Sequence, residues 1–145
     1  MGYPYGIYTI GANCNVIMNG QGFYIKEGGY TRSKKRIHTR RITKTGAMTY
    51  TDLGPLWNEF EFTLSIYSGE LFNTQATPTE LRNAVWEMYQ GVNSPITLVT
   101  PTNETFSCLF NDLKEKMPSF AVYNIDGTIN NQGLQYELDV QLYEV

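Results

Sequence analysis

A chain of 145 residues and 16.5 kDa, with 41% hydrophobic and 17% charged residues, is sized for one domain, because folding at this mass buries roughly two thirds of the unfolded surface. No apolar run nears the roughly 20 residues of a bilayer span, and the opening MGYPYGIYTIGANCNV lacks the basic and apolar regions of a secretion signal, so a soluble, unsecreted protein without a membrane partner is expected. The formal charge of −3 hides a division: Arg32, Lys34, Lys35, Arg36, Arg40, Arg41 and Lys44 crowd a 13-residue window without acids, which leaves four basic residues against fourteen acidic ones, a net of −10, over the other 132.

In chain order, residues 1–20 are rich in Gly, Tyr and Asn and read as an irregular arm or weak strand before an Asn19-Gly20 turn, poorly ordered unless a partner holds them. The domain is expected over 21–145. GFYIK has strand composition, and Gly28-Gly29 is expected to end it. In TRSKKRIHTRRITK an extended chain puts Arg32, Lys34, Arg36, His38 and Arg40 on one face and Lys35, Ile37, Thr39 and Arg41 on the other. Neither face is apolar, so this stretch predicts an exposed basic hairpin at about 30–50.

WNEFEFTLSI alternates Phe60, Phe62, Leu64 and Ile66 with Glu59, Glu61, Thr63 and Ser65, the period of a half-buried strand. Thr77-Pro78-Thr79-Glu80 is a capping box with proline in the first turn. Leu81, Ala84, Val85 and Met88 then recur at helical spacing until Gly91, which predicts one amphipathic helix over about 78–90. ITLVT and TFSCLF flank the Pro101–Glu104 turn as a hairpin, SFAVYNI adds strand composition before a loop, and YELDVQLYEV alternates Tyr136, Leu138, Val140 and Leu142 with polar residues. The fold class is therefore mainly β: an antiparallel sandwich or open barrel with one flanking helix.

Catalytic chemistry finds little to work with. The single histidine, His38, sits among cations, and Cys14 and Cys108 are isolated, which reads as two buried thiols with no metal site and no cofactor. The carboxylate pairs Glu59/Glu61 and Glu137/Asp139 read as solvated strand faces rather than an acid/base pair. No nucleophile elbow, phosphate loop, dinucleotide fingerprint or zinc-protease motif occurs. A non-enzymatic protein is expected, with Arg32, Lys34, Lys35, Arg36, Arg40, Arg41 and Lys44 as candidate partner-binding residues.

From about Tyr50 to Val145, the succession WNEFEFTLSI, TELRNAVWEMYQG, PITLVTP, TFSCLFNDL and YELDVQLYEV resembles tail-tip and baseplate proteins of long-tailed bacteriophages. It is similar to small minor tail proteins of lambda-type phages and to the ring-forming domain of distal tail proteins. The resemblance implies a virion structural protein, assembled in the host cytoplasm. Its copies would form a ring, commonly sixfold, around the tail channel between tail tube and hub. Its partners would then be itself and other tail proteins of the tube, hub and baseplate, with DNA only passing through. In that setting the closing strand, Tyr136–Val145, could pair at a sheet edge between subunits. The other reading of the basic stripe is a nucleic-acid-binding β-barrel module, with Tyr24, Tyr30 and Tyr50 stacking near its ends.

Overall fold

The computed structural model describes residues 4–67, 77–91, 95–119, 122–123, 125–126, 129–130 and 135–145. Its elements are β1 (Val16–Met18), β2 (Gln21–Ile42), β3 (Met48–Tyr67), α1 (Pro78–Gln90), β4 (Ile96–Val99), β5 (Thr105–Ser119), β6 (Val122–Tyr123), β7 (Ile129–Asn130) and β8 (Gln135–Glu144). The alternating residues of β3 and β8 do what their period predicts: Phe60, Phe62, Leu64, Ile66, Leu138, Val140 and Leu142 are all buried. In register, Phe62 lies opposite Val140 and Leu64 opposite Leu138, so both strands give the same face to one core.

The described residues are mainly β with one helix, and the sheet closes into an antiparallel barrel in the order β1-β2-β3-β8-β5-β4. Closure is the departure from the sandwich or open barrel expected, and β1 brings it about. This strand lies within the stretch read as an irregular arm, yet Val16 and Met18 are fully buried. It pairs with β4 through Ile17↔Val99 and Met18↔Leu98. Asn19 extends the seam, its N–H donating to the Thr97 carbonyl at 2.9 Å and its Oδ1 accepting from the Thr97 N–H at 2.8 Å. The Asn19-Gly20 turn has φ of 49° and 83°, the two left-handed residues that a tight hairpin requires.

The segment before β1 is likewise tied to the barrel by bonds within its own chain. Gln21 is fully buried; its Oε1 accepts from the Tyr5 N–H at 2.8 Å, and its Nε2 donates to Tyr8 Oη at 2.8 Å. A buried amide without such partners would be costly, and the sequence pattern does not reveal that Gln21 points inward. A Cβ at Gly22 would collide with the Tyr8 ring and approach Cys14 Cβ to 2.9 Å, so the glycine is what lets this segment lie on the barrel.

Gly28-Gly29 does not end its strand as expected. Register moves from Ile25↔Leu64 to Tyr30↔Phe62, so the residues between them bulge outward with Gly28 at φ 75°, and β2 continues. On β5, the pairings Phe110↔Leu142 and Asp112↔Gln141 leave Asn111 as an extra residue, and the strand runs well past TFSCLF. Strand β8 is flanked by β3 and β5, so both its edges are occupied and it cannot join subunits by edge pairing as the resemblance had implied. Most of SFAVYNI and the following loop lie outside the described residues; within them β6 pairs with β7.

Helix α1 begins with the anticipated cap: the Glu80 N–H donates to Thr77 Oγ1 at 3.2 Å and the Thr77 N–H to Glu80 Oε1 at 3.3 Å. Leu81, Ala84, Val85 and Met88 are buried, and Leu81, Val85 and Met88 join the barrel core. Among the described residues, no helix is long and apolar enough to cross a membrane.

Candidate functional site

The long hairpin of β2 and β3 outruns the barrel. Pairing with β8 covers β3 only from Glu59 to Tyr67, so β2 beyond Ser33 and β3 before Asn58 form a two-stranded ribbon ending in a turn at 43–47. Its position follows from strand alternation. Tyr30 opposite Phe62 and Arg32 opposite Phe60 continue the inward face of the barrel, and Lys34, Arg36 and Arg40 follow on the same side. Where apolar side chains would be needed to keep the chain on the core, the sequence supplies cations, and the strand pair leaves the body. Over 31–57 seven basic residues meet one acid, Asp52, giving the arm a net charge of +6.

The structure sorts the candidate cations into two groups. Arg32 closes the barrel mouth: Nε donates to Asn58 Oδ1 at 3.0 Å, Nη1 pairs with Glu104 at 3.3 Å, and the guanidinium lies 5.3 Å from the Phe106 ring centroid. Asn58 is buried and bonds in turn to Glu144, from its amide at 2.9 Å and its N–H at 3.2 Å. The Glu144 carboxyl is held below the usual carboxylate range by the Asn58 backbone N–H first, against partial burial, with the Asn58 amide, Lys34 and Arg32 assisting. Arg36 bonds across the arm to Asp52, Nε to Oδ2 at 2.7 Å, which raises its already high pKa through that hydrogen bond and the adjacent charge.

Arg32 and Arg36 thus build and stiffen the arm. Lys34, Arg40, Arg41 and Lys44 are exposed, and no ion pair among the described residues reaches Arg40, Arg41 or Lys44. The Lys35 and His38 side chains lie outside the described residues. The arm also bends: register slips between Lys34 and Arg36 and again between Arg36 and His38. Gly54 sits there at φ 83°, its N–H donating to Asp52 Oδ1 at 2.9 Å. Extra residues at such points coil a ribbon and interrupt its edge.

The two carboxylate pairs of the sequence meet on the opposite, outer face. Glu61 faces Gln141, Thr63 faces Asp139 and Ser65 faces Glu137 across β3 and β8, while Asp112 on β5 lies beside Gln141. Glu61 accepts from Gln141 Nε2 at 3.3 Å, Asp139 from Thr63 Oγ1 at 2.7 Å, and Glu137 pairs with Lys26 at 3.2 Å. On β5, Lys114 lies opposite Asp139 and Lys116 opposite Glu137, so this wet face is mixed at the β5 side and acidic at the Glu59/Glu61 end, where no lysine lies opposite in register. Sequence reasoning found the pairs but not their adjacency, which depends on the β3–β8 register.

The two thiols are chemically quiet. Cys14 and Cys108 are free and buried, and burial pushes their pKa values up to about 11 and about 12, with Glu144 adding to the second. Comparison with protein-family models and with curated proteins finds no match. What the geometry offers is a projecting basic arm and, at its root on the barrel wall, an acidic patch at Glu59 and Glu61.

Proposed function

We propose that this chain is a structural, non-enzymatic subunit of a bacteriophage tail, forming a ring near the distal tail or baseplate between tail tube and hub. The observation that supports assembly is the charge layout: an arm of net charge +6 extends from a barrel whose outer wall carries Glu59 and Glu61 at the arm's root, while Glu137 and Asp139 further along face Lys116 and Lys114. Opposite fields on two faces of one molecule speed and orient association with copies of itself or with neighbours of similar polarity. The tail setting is supported by the order of strand, capped helix, hairpin and closing strand along the sequence. The net charge of −10 outside residues 32–44 would also suit a channel through which DNA slides without sticking.

The test is the native mass by light scattering, together with electron microscopy of the purified protein and of the particle. A closed ring and its location in virions support the reading; a monomer at all concentrations, absent from particles, overturns it. A second reading, nucleic-acid binding, is favoured by the exposed Arg40, Arg41 and Lys44 beside Tyr50 at the arm's end. Titration of labelled single- and double-stranded DNA decides it, since absence of binding at about 50 mM salt would remove a site that depends on phosphate contacts.

A further inference from the structure

The arm's tip and a groove at the arm's root have matching chemistry. At the tip, Ile42 pairs with Met48 and Arg40 with Tyr50, so these four residues share one face of the ribbon. Ile42 and Met48 are 76% and 63% exposed, a high value for adjacent large apolar side chains in a water-facing hairpin. At the root, the outer barrel face holds a groove of about 360 Å³ lined by Ser33, Trp57, Glu59, Glu61, Gln141 and Tyr143, among others. Trp57 is 47% exposed and gives the groove an apolar wall beside two carboxylates.

A chain's own tip cannot fill its own groove. From Ser33 to Ile42 the laddered strand carries the tip roughly 30 Å away at about 3.3 Å per residue. We infer that the tip of one copy seats in the groove of a second copy, with Ile42 and Met48 against Trp57 and with Arg40, on the same face, beside Glu59 and Glu61. This deepens the assembly reading and rests on it. Because the donor and acceptor surfaces differ, the contact is heterologous. Every subunit gives one arm and receives one, a geometry that closes into a ring or repeats along a stack.

Disulfide trapping tests the contact. Cys14 and Cys108 are buried and provide a silent background. M48C protein mixed with S33C protein should oxidise to a mixed dimer about tenfold faster than M48C mixed with Q90C, which lies on exposed helix surface, because docking raises the local thiol concentration. R40E/R41E on the M48C partner should abolish the excess, and E59K/E61K on the S33C partner should restore it. Oligomers by light scattering with equal trapping at positions 33 and 90 overturn the groove and leave assembly standing. A monomeric protein absent from particles overturns both. Binding of the tip to anionic vesicles or DNA, without trapping between chains, also overturns the inference.

Discussion

Phe62 shows how one residue carries the core. It lies at 2% exposure, its ring 6.3 Å from that of Tyr30, opposite Val140 on one side and Tyr30 on the other. Phe62→Ala should lower unfolding free energy by about 3–5 kcal/mol, the usual loss for a truncated core aromatic, as read by urea denaturation. Gly22 is the reverse case, where adding one carbon does the damage. Gly22→Ala must displace the Tyr8 ring or shift β2, at a cost of about 1–3 kcal/mol for overpacking, and the same denaturation series measures it. The first site was legible from alternation alone. The second was not, because an achiral residue beside a buried amide leaves no periodic trace, and its meaning depends on a segment returning from residues 5–8.

At the scale of elements, the strands and the helix with long periodic or capped signatures were readable, and those joined by short or bulged contacts were not. Three residues cannot show a period, so β1 was legible only as a weak strand before the Asn19-Gly20 turn, and its closing of the barrel was not. Its closure leans on Asn19, which combines a φ of 49° with two bonds to Thr97. Asn19→Gly keeps the turn and loses the side-chain bond, whereas Asn19→Ala loses the bond and strains the backbone. The alanine variant should therefore be the less stable, each step being on the order of 1 kcal/mol, with both midpoints read by thermal melts.

Helix α1 is fastened to β5 by Glu115, which accepts from Arg82 and from Trp86 Nε1 at 3.0 Å. The Arg82 hydrogen bond chiefly holds Glu115 below the ordinary carboxylate range. A lowered folded-state pKa contributes stability above the unfolded pKa, near 4.3 for glutamate, and loses it as pH falls through the folded value. Arg82→Gln should cost about 1 kcal/mol near neutrality, and the gap from the parent chain should close in more acidic solution. A difference independent of pH would show that packing of the Arg82 stem, and not its charge, fastens the helix.

For the whole molecule, the candidate site was half legible. The run of cations pointed to an arm because no apolar face accompanied it, but the division of labour within the run needed the partner strand. Arg32 reaches Asn58 and Glu104 through contacts distant in sequence, and Arg36 bonds diagonally to Asp52, which two slips of register set opposite His38. A charge reversal meant to probe docking should therefore avoid both. Arg40→Glu with Arg41→Glu should leave the circular-dichroism spectrum and melting temperature near those of the parent, since these side chains are exposed, while abolishing oligomers. Arg36→Glu, by contrast, sets two carboxylates against each other and should loosen the arm itself, seen as faster proteolysis at 43–47. Solvated charges flank the apolar contact of Ile42 and Met48 with Trp57, so salt is the second lever. Screening shortens from about 10 Å at 0.1 M to about 3 Å at 1 M, and the native mass should fall toward that of one chain over this interval with the fold unchanged. An oligomer indifferent to both salt and Arg40/Arg41 reversal would mean that its subunits meet elsewhere than at the charged tip of the arm.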